Sequence, residues 1–277
     1  MYKMSLSEII TYSTVLIRCK YNNGTEGSGT GFIVNLCTDE GANQCVPVLI
    51  TNNHVVKDSI ETVFELCKAD ADGNPIDTDP YTFTYTGNDD FWIHHPDSKV
   101  DLRCLPLAQA LNQLQKEGKK IFYIPLETNL IPSKQQLEAM SAMEDVVMIG
   151  YPIGLSDKYN HKPIIRKGIT STHPNRDYQG EKETLLDIAC YPGSSGSPVF
   201  ILNQGAYSTE NGISLGNRIH LLGILYGGHE FNAQGILTFA NLPNTPMPIS
   251  YTRIPINLGI MIKAERILEF ENLFKSI

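Results

Sequence analysis

Leu185-Leu186-Asp187-Ile188-Ala189 and Pro198-Val199-Phe200-Ile201-Leu202 read as two buried strands, with Cys190-Tyr191-Pro192-Gly193-Ser194-Ser195-Gly196-Ser197 between them. A flexible Gly/Ser linker is one reading of so many small residues. Two core strands would not grip a linker, so we read a sharp turn whose backbone N–H groups converge. Such a turn forms an oxyanion hole, with Ser195 as the hydroxyl beside it. It is not the G-x-S-x-G nucleophile elbow, because position 197 is Ser.

Outward from this turn, short β-rich runs alternate with turn clusters. Val15–Tyr21, Gly31–Leu36, Pro47–Thr51, Thr62–Leu66 and Tyr81–Tyr85 read as strands in the first half. Val146–Gly150, Thr184–Ala189, Pro198–Leu202, His220–Tyr226 and Gln234–Ala240 follow in the second. Ile9–Ile17 also reads as a strand. Many short strands at regular spacing suggest an all-β sandwich or barrel. Helical patterns occur at Leu105–Lys119, at Ser133–Ala142 with Ser133 and Gln136 as a capping pair, and at Gly259–Ile277. The irregular stretch from Ile121 to Met143 divides the strands into two sets, so the domains are expected at 1–125 and 126–277.

The composition excludes several classes. Of 277 residues, 42% are hydrophobic and 19% charged, which is globular composition rather than that of a disordered chain. The net charge of −8 fits neither nucleic acid nor an anionic membrane surface, both of which select basic faces. No apolar run reaches the roughly 18 residues that span a bilayer. The chain shows no export signal, so a cytoplasmic protein is expected. Its six cysteines include no C-x-x-C pair, and reduced thiols are expected, Cys37 and Cys45 included.

Two further segments carry chemistry. In Leu49-Ile50-Thr51-Asn52-Asn53-His54-Val55-Val56 a strand runs into a polar turn, and His54 follows at once. In Val100-Asp101-Leu102 an acid sits between apolar residues, and a half-buried carboxylate needs a partner. His54 is a natural one. His54 to Asp101 is 47 residues and Asp101 to Ser195 is 94. The serine-protease order His, Asp, Ser has gaps of about 45 and about 93, whereas the α/β-hydrolase and subtilisin orders differ.

With these residues in view, the chain resembles the chymotrypsin-like serine peptidases, and within them the trypsin-like domain of HtrA-type proteases and free-standing bacterial relatives. Gly27-Ser28-Gly29-Thr30-Gly31-Phe32 resembles their first-barrel strand. Ile149-Gly150-Tyr151-Pro152 resembles the opening of the second barrel, Lys167-Gly168-Ile169-Thr170-Ser171 a later strand, and Ile254-Pro255-Ile256-Asn257 the C-terminal close. The resemblance implies two six-stranded antiparallel β-barrels with a C-terminal helix, and because the sequence ends after that helix no following PDZ domain is expected. It implies Ser195 as nucleophile, His54 as general acid and base, Asp101 as the residue orienting His54, and the Gly193 and Ser195 amides as oxyanion donors. Protein or peptide substrates are implied; no cofactor, metal, nucleic acid or membrane is.

The departures from the family are informative. Ser194 stands where trypsin proper has Asp, and the N-terminus lacks Ile-Val-Gly-Gly, so activation by a buried new N-terminus is not expected. Ala189 falls at the position that forms the base of the specificity pocket, which disfavours Lys or Arg at P1. Leu222-Gly223-Ile224-Leu225-Tyr226-Gly227-Gly228 resembles the substrate-pairing strand, and Tyr226, Gly227 and Gly228 are assigned to substrate binding. Leu225 stands where glutamyl-specific relatives have His, which leaves an uncharged P1, aliphatic or small. His229 and Glu230 are candidates for an outer subsite.

Other signals are weaker. Asp70-Ala71-Asp72-Gly73-Asn74-Pro75 reads as a hairpin turn rather than a calcium loop, and His94-His95 as the loop leading to Asp101. Gly27 to Gly31 is no dinucleotide fingerprint, because Phe32 falls where the third Gly belongs. Three alternatives stay open: an inactive or latent trypsin-fold binding module that needs a partner, an esterase using the same triad, and a peptidase controlled by a regulatory protein partner through Asn203–Arg218.

Overall fold

The computed structural model describes residues 4–39, 44–87, 89–209, 212–236 and 249–275. The first half builds β1 (Thr14–Tyr21), β2 (Glu26–Asp39), β3 (Gln44–Thr51), β4 (Ser59–Ala69), β5 (Pro75–Thr86), β6 (Ile93–His94), β7 (Arg103–Pro106), β8 (Ile121–Phe122) and β9 (Leu126–Glu127). They form one nine-stranded sheet in the order β5-β4-β1-β2-β3-β7-β6, with β8 on β4 and β9 on β2. The second half builds β10 (Asp145–Gly150), β11 (Ile164–Thr170), β12 (Glu183–Asp187), β13 (Pro198–Asn203), β14 (Ala206–Thr209), β15 (Gly212–Leu215), β16 (Arg218–Ile236) and β17 (Ile249–Lys263). Six of these close into a barrel, β10-β11-β12-β17-β16-β13, while β14 and β15 form a separate hairpin inside the Asn203–Arg218 segment.

The all-β expectation holds, with one difference in architecture. One of the two expected six-stranded barrels is a closed barrel of six; the other is the nine-stranded sheet. One end of that sheet is β6, a strand of only two residues, too short to carry a full ladder.

Residues 29–34 of β2 and 48–51 of β3 are buried on both faces, which explains the unbroken apolar runs there. Ile33 and Leu49 point into the first sheet's own core with Val15, Ile17, Phe64 and Leu105. Phe32, Val34, Val48 and Ile50 point the other way, onto Ile149, Phe200 and Ile224 of the closed barrel. The barrel interior is filled separately by Val146, Met148, Leu186, Val199, Leu222 and Met261. One shared apolar layer therefore joins the two halves, and the candidate site lies along its rim.

Several local expectations change. The expected helix from Gly259 begins only at Glu265, as two short turns, Glu265–Leu268 and Glu271–Phe274. Residues Gly259–Lys263 continue β17, pairing with both β12 and β16. Tertiary pairing overrides the helical period here: Met261 fills the barrel while Ile262 faces the shared layer. Ala264, Ile267 and Phe274 pack into the core, as expected of a C-terminal helix, and Phe270 joins them. Ile9–Ile17 is not one strand; Leu6–Thr11 is a helix with a Ser5–Glu8 capping box, and the strand starts at Thr14.

The helix at Leu105–Lys119 spans Ala108–Lys116, and the Ser133–Gln136 capping box starts the helix Lys134–Glu138. Asp70 closes the β4–β5 hairpin, accepting from the amides of Asp72 (3.0 Å) and Asn74 (2.8 Å). The 237–240 part of the strand expected at Gln234–Ala240 lies outside the described residues, as does the Cys37 side chain. No described helix is long and apolar enough to cross a membrane.

Candidate active site

His54 sits on a one-turn helix, Asn53–Val56, entered directly from β3. Val55 and Val56 are buried and pin that turn to the sheet. They pin it closely: a Cβ at Gly29 would lie 2.4 Å from Val55 Cγ1. The imidazole is left outside, with 47% of its side chain exposed.

Asp101 grips this turn with three oxygens. Its carbonyl accepts from Asn53 N–H (3.1 Å) and from Asn52 Nδ2 (2.9 Å). Its Oδ1 accepts from His54 N–H at 2.9 Å, and its Oδ2 lies 2.5 Å from His54 Nδ1. An ionised carboxylate only accepts, so Nδ1 carries a proton, and in the neutral ring Nε2 is then an acceptor. The segment before Asp101 is anchored by His95, whose Nε2 donates to the Arg266 carbonyl at 2.9 Å and whose ring meets Phe270 edge-on at 5.0 Å. The loop expected at His94-His95 therefore begins only at His95, because His94 closes β6 and pairs with Arg103.

The Ser195 turn is built on two glycines at φ +86°, Gly193 and Gly196. A Cβ at Gly196 would lie 1.8 Å from the Thr30 carbonyl oxygen, so only glycine lets the turn approach β2 this closely. Thr30, fully buried, is the anchor on that side. Its N–H donates to Ser195 O (2.8 Å), and its Oγ1 donates to Gly193 O (2.9 Å) and accepts from Tyr151 N–H (3.0 Å). Its own carbonyl accepts from Thr51 Oγ1 at 2.7 Å.

These bonds also orient the turn's amides. Pro192 O accepts from Ile153 N–H (2.5 Å) and Ser194 O from Ser197 N–H (3.1 Å). In a planar trans peptide the N–H points opposite the carbonyl. The Gly193 and Ser195 N–H groups are therefore turned away from those partners, and among the described residues neither has an acceptor. The Ser195 hydroxyl donates to the Tyr226 carbonyl at 3.4 Å, and no hydrogen bond joins it to His54. Tyr226 falls at a register shift between β16 and β17, an irregularity of the kind that re-aims backbone groups beside sites. Its phenol donates to Glu183 Oε1 (2.7 Å) and is held well above the usual tyrosine range by burial, by that bond and by the nearby Glu183 and Asp101 charges.

Beside Ser195 is a cavity of about 180 Å³. Its apolar walls are Leu225, Leu258, Pro192, Pro255 and Cys190; Gly227, Gly228, His229 and Glu230 also line it, Glu230 as an exposed group. Ala189 does not line this cavity. Its carbonyl instead accepts from Arg166 Nη1 at 2.7 Å, and Cys190 occupies the wall. Burial pushes the Cys190 thiol up to about 11, so it is a neutral wall group. Sequence reading missed Cys190 and the β17 residues Pro255, Asn257 and Leu258. Cys190 comes from the serine segment itself, whereas Pro255, Asn257 and Leu258 are brought close to Ser195 by the antiparallel pairing of β16 with β17, which no local pattern announces. A larger groove of about 780 Å³ lies between β1, β2, β4 and the 154–161 loop. Two of its acids are already paired, Lys20 with Glu61 at 2.6 Å and Arg18 with Glu65 at 3.8 Å.

Known proteins place this fold. The trypsin-like peptidase domain family matches residues 29–206, and the chain belongs to that family. Among curated proteins none matches. The active form of the Rv3671c protease of M. tuberculosis is similar at 14% identity, with 94% of this chain and 80% of that one covered and a TM-score of 0.48. The HtrA-type protease AlgW with a tripeptide is similar at 16% identity, covering 97% and 62%, with a TM-score of 0.47. Deg5 is similar at 16% identity, covering 81% and 88%, with a TM-score of 0.43.

The Thr30 anchor makes a direct prediction. Thr30→Val keeps the shape and removes Oγ1, leaving buried groups of Gly193 and Tyr151 without a partner. Stability should fall by about 1–3 kcal/mol, measured by urea unfolding; an unchanged midpoint would remove Thr30 as the anchor.

Proposed function

We propose that the chain is a serine endopeptidase that works through His54, Asp101 and Ser195 and an acyl-enzyme. The observation that carries this reading is the doubly held His54–Asp101 pair, with the ring contact at 2.5 Å, on the same Thr30-anchored rim as a serine turn with two unclaimed amides. Ser195 Oγ rotates off the Tyr226 carbonyl and attacks the substrate carbonyl while His54 Nε2 takes its proton. Catalytic hydrogen bonds are commonly long or open in the absence of substrate. The Gly193 and Ser195 N–H groups bind the developing oxyanion. His54 then returns the proton to the leaving amine, and water, deprotonated by the same ring, releases the acyl group.

The substrate is a protein or peptide with an uncharged P1 residue, aliphatic or small. The support is the limited cavity of about 180 Å³ and its walls of Leu225, Leu258, Pro192 and the neutral Cys190 thiol. We place the activity inside the cell, in a reducing compartment, which agrees with the free thiols of Cys19, Cys67, Cys104 and Cys190.

Intact-mass labelling with a fluorophosphonate tests the reaction class. Wild type should gain one adduct and Ser195→Ala none, since removing such a nucleophile typically costs about 10⁶ in kcat. An adduct that persists on Ser195→Ala would contradict the assignment. Cleavage of a peptide library should be dominated by small or aliphatic P1 residues; dominance of Arg, Lys or Glu would refute the pocket reading.

A further inference from the structure

Strand β16 runs on past the candidate site. Its pairing with β13 ends at Ile224, opposite Pro198, and Leu225 N–H adds one last tie on that side, to Ser197 O at 2.9 Å. On its other side β16 stays paired with β17 as far as Ile236, opposite Ile249. Beyond Gly228 the two strands therefore form a ribbon. Among the described residues no strand pairs with the edge of β16 that β13 has left.

The pairing fixes which way the peptide groups on this edge point. Leu225 donates to Ser197 O and accepts from Gly196 N–H (2.8 Å), so both of its groups face the serine turn. Tyr226 is the extra residue at the register shift between Leu225 and Gly227, and its carbonyl again faces the Ser195 hydroxyl. From there successive residues of an extended strand turn to alternate sides. Gly228, Glu230, Asn232 and Gln234 thus face the same way as the Tyr226 carbonyl. Pro255, opposite Glu230, has no N–H to give, which suits a pair whose peptide groups turn outward.

The ribbon is continuous with the site. His229 and Glu230 line the cavity beside Ser195, so its first residues border the pocket proposed for P1. A Cβ at Gly227 would meet no described atom within 4 Å, so the strand is uncrowded where a substrate enters. We propose that β16 binds substrate along this edge past Gly228, with an extended polypeptide lying antiparallel to it as one more strand. P3 falls opposite Gly228, P5 opposite Glu230 and P7 opposite Asn232. Main-chain bonds supply affinity in such strand addition, so the substrate class is unfolded, extended chain ordered from P1 to P7. The proposal rests on the peptidase reading above and extends its substrate strand into the ribbon. A row of unpaired peptide groups is also a template for self-association. Continuity with the Ser195 turn favours the substrate over a second copy.

Peptides with one cleavable P1 residue, lengthened on the N-terminal side to P3, P5, P7 and P9, test it. Their kcat/KM should climb at each step through P7, about 2–12-fold for each hydrogen bond gained, with KM carrying the change. N-methylation of the P7 amide should erase the gain from P5 to P7. N-methylation at P6, whose N–H points away from the edge, should preserve it. Asn232→Pro removes the N–H on the protein side and should flatten the same step. Ser195→Ala binds without turnover, and fluorescence anisotropy on it should give a Kd that falls with peptide length in the same pattern.

Cleavage and binding indifferent to length beyond P3 would overturn the proposal, as would equal losses from methylation at P6 and P7. A dimer in solution that Asn232→Pro dissociates would overturn it too, because a second copy would then hold the edge. If Asn232→Pro does not fold, the methylated peptides decide the matter on wild type. Wild type that forms no Ser195 adduct would overturn the hydrolase reading itself. Peptide binding to Ser195→Ala reads the edge separately from that result.

Discussion

The site depends on Thr30, a single buried threonine of β2 whose N–H, Oγ1 and C=O are all engaged. It holds Ser195 and Gly193 of the serine turn, Tyr151 of the turn that follows β10, and Thr51 at the end of β3. Thr51 stands three residues before His54. One residue therefore sets the position of the serine turn relative to the histidine turn, across the seam between the two halves. Each bond contributes only about 0.5–1.5 kcal/mol net, but an orphaned buried partner costs more. That asymmetry makes the arrangement specific.

The apolar layer behind this anchor gives it a rigid base. Phe32, Val34, Val48 and Ile50 press against Ile149, Phe200 and Ile224, and close packing of this kind tolerates little sliding. Because β2 carries Thr30 and continues into Phe32, the same strand supplies the polar anchor and the apolar seam. Phe270 and Ile267 extend the layer under the Asp101 loop, where the His95 and Arg266 contact adds a polar tie. Of the three residues proposed for the chemistry, His54 thus stands on a one-turn helix and Asp101 and Ser195 on loops, while a two-faced core holds the ends of these segments.

Much of this was legible in the sequence. His54, Asp101 and Ser195 were marked by order, spacing and strand flanks, and the structure brings His54 and Asp101 into direct contact. The turn at Asp70 and the capping box at Ser133 were legible because their chemistry is local. The role of Thr30 was not, because its partner Gly193 is 163 residues away and nothing in either segment names the other. Gly259–Lys263 read as helix because its apolar spacing suits both periods, and only the flanking β12 and β16 decide between them. Ala189 was assigned to the pocket by analogy, whereas the chain's course puts Cys190 on the wall. The left-handed Ile153, at φ 47°, was invisible for a plain reason: sequence reading assumes that β-branched residues avoid that region. The Ser5–Glu8 box was present in the sequence but was absorbed into the apolar run that follows.

The proposed reactive centre draws on both halves of the chain, and Thr30 and its partners tie its two sides together. The most direct test is a crystal structure of the protein after reaction with a fluorophosphonate. Phosphorus is expected on Ser195 Oγ, with a phosphonyl oxygen between the Gly193 and Ser195 N–H groups and the Thr30 bonds to Gly193 and Ser195 intact. Phosphorus on another residue, or a phosphonyl oxygen turned away from those two amides, would contradict the assignment.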